Sequence, residues 1–485
     1  TGAGRNRKIR RRNLFYGIEY LYKGHGFYEN RAGGVTQTVV FGNDDFKEND
    51  AKRKRAGNKK YGNAFYPSEK RNRREKYCGS KKYIGTINTK TCANHKGFAG
   101  RGINKMNVAV IMDSFKGSMT SREAGNAVRE GIKGVYPNAN IAVKPLADGG
   151  EGTGEILTES LGGKKISVSV SGPLGEKNIA YYGYLETEKV AVIEMAQAAG
   201  LTLLEEKNPL QADTFGVGEM ILDAVQKGCR EIWIGIGGSG TNDAGVGMLQ
   251  ALGYTFLDKE KNPIGRGGKE VGRIEFISDE NVSSALKKCR FRIMCDVENE
   301  LYGENGATYV FGKQKGVTEE QKEKLDKGIK HFAYQTEKFI GKDYSMKKGA
   351  GAGGGIGFAF LSYLQAEFFS GIQFVLEKLS IEEVIQNADI VITGEGRLDA
   401  QTGMGKAPLG VAELAKKYHK NVIAFAGTVT EGAKQCNEKG IDAFFPIVRE
   451  IVTLEEATAK EKAIENLKDS VEQVFRVIQM ERGDV

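Results

Sequence analysis

The chain has 485 residues, 40% of them apolar, and carries 71 Lys and Arg against 62 Asp and Glu, a formal charge of +9. That length can bury more than one core, and the lack of any apolar run of 18 residues excludes a membrane-spanning helix. The six cysteines form no CxxC pair, so free thiols in a reducing cytoplasm are the expectation and secretion is not.

The charge is unevenly spread. Residues 1–105 hold 26 Lys and Arg against 8 Asp and Glu, whereas the rest of the chain holds 45 against 54. This basic stretch, with RNRKIRRRN and AKRKRAGNKK, shows no sustained apolar periodicity. A nucleic-acid-binding tail, a solvated extension and an upstream leader translated in frame all fit it. The leader is favoured, because all ten methionines lie at or after Met106. Arg101-Gly102 can also be written as a purine-rich, ribosome-binding type of codon run just upstream. The expectation is a functional chain that starts at Met106, with an acidic body unsuited to nucleic acid.

From Met106 the pattern becomes orderly. NVAVIM (107–112) is a short β-branched run that predicts a buried strand. Thr120-x-x-Glu123 is a capping box, and Ala124, Ala127, Val128, Gly131, Ile132 and Val135 follow at helical spacing. IAVKPL (141–146) predicts a second strand ahead of the loop ADGGEGT (147–153). Residues 166 to 370 change character: ISVSVSG alternates with period two, and NIAYYGYLE and KVAVIEMA predict further strands. ADIVITGEG (388–396), NVIAFAG (421–427) and DAFFPIV (442–448) then predict three strands around a helix at 406–419. A closing helix is expected from Thr453-x-x-Glu456 to about Met480. Strand–loop–helix units imply a parallel sheet with crossover helices. The fold class expected is α/β with two α/β domains. One is a flavodoxin-like parallel-sheet domain of five strands (106–165 plus 371–485); a mixed α/β domain (166–370) is inserted into it.

The loops carry the chemistry. The body has only two histidines, His331 and His419, neither in a polar cluster, so Ser-His catalysis and a histidine metal site are not expected. Asp, Glu, Lys and Gly remain, a set suited to phosphoryl transfer, where carboxylates hold Mg²⁺ and N–H groups or cations stabilise phosphate oxygens. Asp113 and Lys116 follow the first strand directly, where open α/β sheets bind ligands. Asp148 and Glu151 sit among glycines in ADGGEGT, whose backbone N–H groups can form an anion-binding nest. Gly235-Ile-Gly237-Gly238-Ser239-Gly240-Thr-Asn-Asp243 formally matches GxGxxG, with Asp258 as a ribose acid, and equally suits phosphate binding at a helix start. KKGAGAGGGIGF (347–358), with Gly351, Gly353, Gly354 and Gly355, reads as a floppy loop or a phosphate cradle. Arg397 offers a bidentate fork, and Asp399 is a candidate base. GMGKAP (403–408) lacks the first Gly and the Ser/Thr of a Walker A loop, so a P-loop NTPase is excluded.

Taken in order, DSFKGSMTSREA, PLADGGEGT, GGSGTNDAG, CDVENELYGENGATYVFGKQKG, GAGGGIG and ITGEGRLDAQTGMGKAP resemble the motifs of bacterial-type glycerate kinases. The resemblance covers nearly all of 106–485 and none of 1–105. It implies Mg²⁺- and ATP-dependent phosphorylation of D-glycerate, with the 2-position slightly favoured over the 3-position. It departs from the family pattern at Gly240 and Ala244, where GGSATNDGG is usual, and at Glu300, where proline is usual. Both loop changes exchange small residues, so an intact cradle is expected. The roles it suggests place the glycerate carboxylate on Lys116 and Arg397, with Asp113 also at the substrate. Lys116, Asp148 and Asp399 are the catalytic candidates, with Asp148 or Asp399 taking the hydroxyl proton. Asp148, Asp243 and Asp296 are metal candidates; Gly237, Gly238, Ser239, Gly351, Gly353, Gly354 and Gly355 are candidates for the nucleotide. The alternative is a GxGxxG-type NAD(P)-dependent oxidoreductase of a small hydroxy acid.

Overall fold

The structure, a computed structural model, describes residues 105–399 and 407–482. The expectations for the basic segment before Lys105, and for most of GMGKAP, lie outside the described residues. Two short strands open the described chain: β1 (Asn107–Met112) and β2 (Asn140–Pro145). A middle set follows: β3 (Lys164–Ser171), β4 (Lys177–Leu185), β5 (Val190–Glu194), β6 (Glu231–Gly235), the small pair β7 (Thr255–Leu257) and β8 (Phe276–Ser278), β9 (Arg290–Met294) and β10 (Glu367–Phe369). The last three are β11 (Ile390–Leu398), β12 (Asn421–Val429) and β13 (Ala443–Pro446).

The first two and last three strands form one parallel sheet in the order β13-β12-β11-β1-β2. Counting only its own strands, this is the 2-1-3-4-5 order of flavodoxin-like sheets, whose switch point falls between the first and third. Here that point lies between β1 and β11. β1 is buried along five of its six positions, as expected of a strand covered on both faces. The helix Ser121–Val135 begins with the capping box of Thr120 and Glu123. It packs with the C-terminal helix Lys460–Arg482 over one face, around Val128, Ile132, Val471 and Phe475. The expected single closing helix is two. Thr453 and Glu456 cap the short helix Leu454–Thr458, and the chain extends at Ala459 (ψ 122°) before the long helix begins.

The middle strands form a second sheet, β10-β9-β6-β5-β4-β3. Its β10, β9, β6 and β5 run parallel, whereas β4 and β3 are antiparallel additions. The period-two alternation of β3 matches a half-buried edge. One apolar cluster joins the sheets: Ile111, Val391 and Ala424 of the first share it with Val190, Val192, Trp233 and Met294 of the second. Phe374, from the helix Gly371–Lys378, stands edge-on to Trp233 at 5.1 Å in the seam. No described helix is long and apolar enough to cross a membrane.

Phe475 is fully buried and meets Tyr136 edge-on at 6.3 Å. Phe475→Ala is expected to cost about 3–5 kcal/mol of unfolding free energy. Val477→Ala, at a side chain 65% exposed on the same helix, is expected to stay within about 0.5 kcal/mol. Equilibrium urea unfolding of both variants checks this.

Candidate active site

At the switch point the loops leave the carboxyl ends of adjacent strands. Asp113 follows β1, its N–H held by the carbonyl of Gly394 on β11 (2.9 Å). Its buried carboxyl accepts the N–H of Ser114 (2.6 Å). Burial, then the charge of Asp148, pushes the Asp113 pKa up to about 7, with Glu395 adding to it and Lys116 opposing. Gly396 of β11 packs on the backbone of Phe115 and Lys116, where a Cβ would lie 3.5 Å from the Lys116 nitrogen. Lys116 reaches Asp148 at 3.9 Å with two-thirds of its side chain exposed. A pair that long and open is worth about 0–1 kcal/mol, so an anionic ligand can take the ammonium at little cost. Arg397, exposed, lies 3.4 Å from Asp399.

The carboxyl edge of the second sheet meets this one backbone to backbone. Gly149 (φ 90°) lies so close to Gly371 that a Cβ on it would be 2.6 Å from the Gly371 Cα. A Cβ on Gly371 would be 2.3 Å from the Asp148 carbonyl oxygen. Asp296, just past β9, accepts the Gly371 N–H (3.0 Å). Asp296 is held above the usual carboxylate range by desolvation, with Asp148 adding repulsion. At the end of β6, a Cβ on Gly235 would lie 3.2 Å from the Gly149 carbonyl oxygen. Glu194, ending β5, accepts the N–H of Gly154 (2.7 Å) and steadies the far side of the ADGGEGT loop.

The glycine loop after β6 is open at Gly237 and Gly238 and closes inward at Ser239. The other glycine run differs from the cradle reading. Gly351, Gly354 and Gly355 are buried: added Cβ atoms would lie 2.1 Å from the Glu300 carbonyl oxygen, 2.0 Å from that of Thr241 and 2.9 Å from the Ala244 Cα. Gly353 alone is partly exposed. These glycines let one loop pack against another and turn through positive φ at 353–355. Ala244 sits at φ 52°, the left-handed region that glycine adopts freely and alanine only at a cost of about 1–2 kcal/mol. The exchange of small residues at 244 is therefore not conformationally neutral.

Asp243 is placed away from a ligand role. Its carboxylate, 1% exposed, accepts Thr214 N–H (2.9 Å) and Oγ1–H (2.8 Å), Gly247 N–H (3.1 Å) and Gly245 N–H (3.2 Å). Four donors fill what a carboxylate offers, so Asp243 clamps its loop and has little left for a metal. Asp258 is likewise committed. It accepts the N–H groups of Glu260 and Asn262 and pairs with Arg273 (2.9 Å), closing a turn. The dinucleotide reading loses its ribose acid. No group of three or more His, Cys, Asp or Glu converges into a metal cage among the described residues.

Of the residues singled out from the sequence, Asp113, Lys116, Asp148, Asp296 and Asp399 follow strand ends and Arg397 lies near the end of β11, while Gly237 borders the Asp148 loop, where a Cβ on it would lie 3.8 Å from the Gly150 Cα. Two groups escaped that reading. Glu395, 8% exposed, acts electrostatically on Asp113; its signal was a carboxylate between two glycines at a strand end. Lys315, 1% exposed, donates to Ser239 Oγ (2.8 Å) and the Thr241 carbonyl (2.6 Å). Burial pushes its pKa down to about 7, against the opposing charge of Asp243. Nothing in GKQKG distinguishes this lysine from its exposed neighbour Lys313.

Two carboxyl edges that meet at Gly149 and Gly371, one rich in acids and the other carrying exposed glycines, suit a kinase-type α/β enzyme. Residues 108–479 match the model of the glycerate kinase family. The chain is 44% identical to a glycerate kinase of Halalkalibacterium halodurans, covering 73% of this chain and 93% of that protein. It is 43% identical to the glycerate 2-kinase of Escherichia coli, over the same shares. A crystal structure from Salmonella typhimurium LT2, assigned as glycerate kinase 2, superposes with a TM-score of 0.71 at 38% identity, covering 78% of this chain and all of that one. The chain belongs to the glycerate kinase family.

Two outcomes follow from the geometry. Gly371→Ala should force the Asp148 loop off its seat and cut kcat by about 10²-fold, measured beside the melting temperature. Asp113 is protonated up to about pH 7 when folded, against an ordinary value of 3.8. The folded state thus holds the extra proton between these values, and stability falls as pH rises through that window. Asp113→Asn should raise the melting temperature more at pH 8 than at pH 5, in metal-free buffer.

Proposed function

We propose that this enzyme transfers the γ-phosphoryl group of ATP to the 2-hydroxyl of D-glycerate, giving 2-phosphoglycerate and ADP. The observation that carries the reading is the close meeting of the two carboxyl edges at Gly149 and Gly371. Beside it a Cβ on Gly237 would lie 3.8 Å from the Gly150 Cα, so the exposed glycines after β6 border the acid-bearing loop. The name of the Escherichia coli relative supports the 2-position. The two sheets then act as two domains, 106–165 plus 371–485 and 166–370, with the reaction between them. The four cysteines among the described residues are free, which supports a reducing cytoplasm where ATP is available.

In this reading Lys116 and Arg397 bind the glycerate carboxylate. Asp148 or Asp399 accepts the hydroxyl proton as the oxygen attacks the γ-phosphorus and ADP departs. Asp113, held protonated up to about pH 7 by burial, can hydrogen-bond the substrate without adding a full negative charge below that pH. Asp148 and Asp296 flank Gly371 and fit Mg²⁺, which needs only one or two carboxylates beside the phosphates. When bound, Mg²⁺ would offset the charge on the phosphate oxygens. The loop Gly237–Ser239 supplies amides to those oxygens, and Gly353 is the member of the second glycine run open enough to join it.

The test is the purified protein with ATP, Mg²⁺ and D-glycerate, followed by ³¹P NMR. The expected product is 2-phosphoglycerate with matching ADP. Formation of 3-phosphoglycerate would move the acceptor, and ATP consumption indifferent to glycerate would overturn the reading. Asp148→Asn should lower kcat by about 10²–10⁴ if this group is the base. Asp399→Asn is the matched control, and near-normal turnover removes either residue from the role.

A further inference from the structure

The mechanism above makes no use of Lys315, the most deeply buried cation described at either glycine loop. It lies in the turn Lys313–Lys315, which ends at Gly316 with φ 91°. Its ammonium donates to Ser239 Oγ and the Thr241 carbonyl, and lies 2.8 Å from where a Cβ on Gly354 would stand. One nitrogen thus joins three loops: 237–241, 312–316 and 351–355. Its two acceptors are neutral, and among the described residues no carboxylate comes within ion-pair distance of it. Asp243 is near enough to be felt but spends its carboxylate on Thr214, Gly245 and Gly247.

With only neutral partners a buried ammonium is disfavoured against the neutral amine, and an anion brought nearby stabilises the charged form. The ammonium also keeps one of its three N–H donors unspent. In the same stretch of chain as its acceptors, Thr241 Oγ1 and Asn242 Oδ1 are buried with no partner among the described residues. Next along the chain from Ser239, Gly237 and Gly238 are exposed. The far side of this loop is fixed by Leu201 N–H to the Gly238 carbonyl (2.9 Å) and Gly240 N–H to the Ala199 carbonyl (2.8 Å). The loop is thus held from both sides, and the lysine under it is poised to carry a positive charge when an anion arrives.

We propose that Lys315 is a positioning residue for the nucleotide: a buried counter-charge that sets Ser239 and the Gly237–Gly238 amides for the ATP phosphates. This rests on the assignment of that loop to ATP. The ammonium acts through Ser239 and through its field, not by touching glycerate.

The experiment compares KM for MgATP, KM for glycerate, kcat and melting temperature in Lys315→Met, Lys315→Gln, Ser239→Ala and Ser239→Ala with Lys315→Gln. Glutamine can still donate to Ser239 and Thr241 but carries no charge, so it separates the field from a structural tie. Both Lys315 variants should raise KM for MgATP about tenfold or more, the scale of a hydrogen bond to a charged group. KM for glycerate should stay unchanged. Ser239→Ala should raise KM for MgATP less, and should add nothing in the Lys315→Gln background.

If Lys315→Gln keeps the wild-type KM for MgATP while Ser239→Ala raises it, Lys315 is a structural tie and the proposal is overturned. If Ser239→Ala shifts KM for glycerate instead, the assignment of the loop to ATP fails, and this inference with it. Should the Lys315 variants not fold, hydrogen exchange of the wild-type protein decides. A nonhydrolysable ATP analogue, and not glycerate, should protect amides of both 237–241 and 313–316. Protection of the first segment alone would overturn the role of Lys315.

Discussion

The site depends on one close approach of backbone to backbone, that of Asp148 and Gly149 to Gly371. No side chain fits between them, because a Cβ on either glycine would stand within 2.6 Å of the other segment. The Gly371 N–H is then taken by Asp296, so four residues from three loops share one position. Asp148 follows β2 of the parallel sheet, Asp296 follows β9 of the mixed sheet, and Gly371 opens the helix that carries Phe374 into the seam beside Trp233. Packing in the apolar seam and polar geometry at the site are therefore coupled through a single helix.

The electrostatics around that contact are lopsided. Asp113 and Asp296 are held above the usual carboxylate range by burial, with repulsion from Asp148 on both and from Glu395 on Asp113. Such a cluster is costly in an empty protein and is relieved by a cation, or by a proton on its most buried member. On the other loop the cation is hidden: Lys315 is tied to Ser239 and the Thr241 carbonyl, with no direct counter-ion among the described residues. An acid-rich edge that meets exposed glycines tied through Ser239 to a buried lysine is complementary to a metal–phosphate pair. The same lopsidedness explains why Asp243 and Asp258, equally acidic in sequence, do other work. Each is surrounded by N–H donors that spend its charge on shaping a loop.

Much of this was legible before any coordinates. The β-branched runs at 107–112 and 421–427, the capping box at Thr120, and the alternation after Ile166 each have one dominant local cause, so local pattern placed them. Five parallel strands split between the two ends of the chain also implied the inserted segment. The capping box at Thr453 and Glu456 is real but predicts a single closing helix, because the extended backbone at Ala459 has no residue-type signal. Glycines at 351–355 invited a cradle, yet composition cannot tell a glycine that faces a ligand from one that faces another loop. Here Gly354 faces the Thr241 carbonyl.

The sequence by itself determined the class of chemistry: carboxylates, lysines and glycines at strand ends, without histidine pairs or a Walker loop, in an order that matches one family. It could do so because strand-to-helix loops announce themselves locally and their residue types limit the reaction. Tertiary structure alone decided which acids share a site, which are spent as clamps, and that a lysine in an ordinary turn becomes a buried counter-charge. Those outcomes rest on burial and on contacts between segments as far apart as Ser239 and Lys315, or Asp148 and Gly371. Desolvation and repulsion act through space, and no local pattern encodes them.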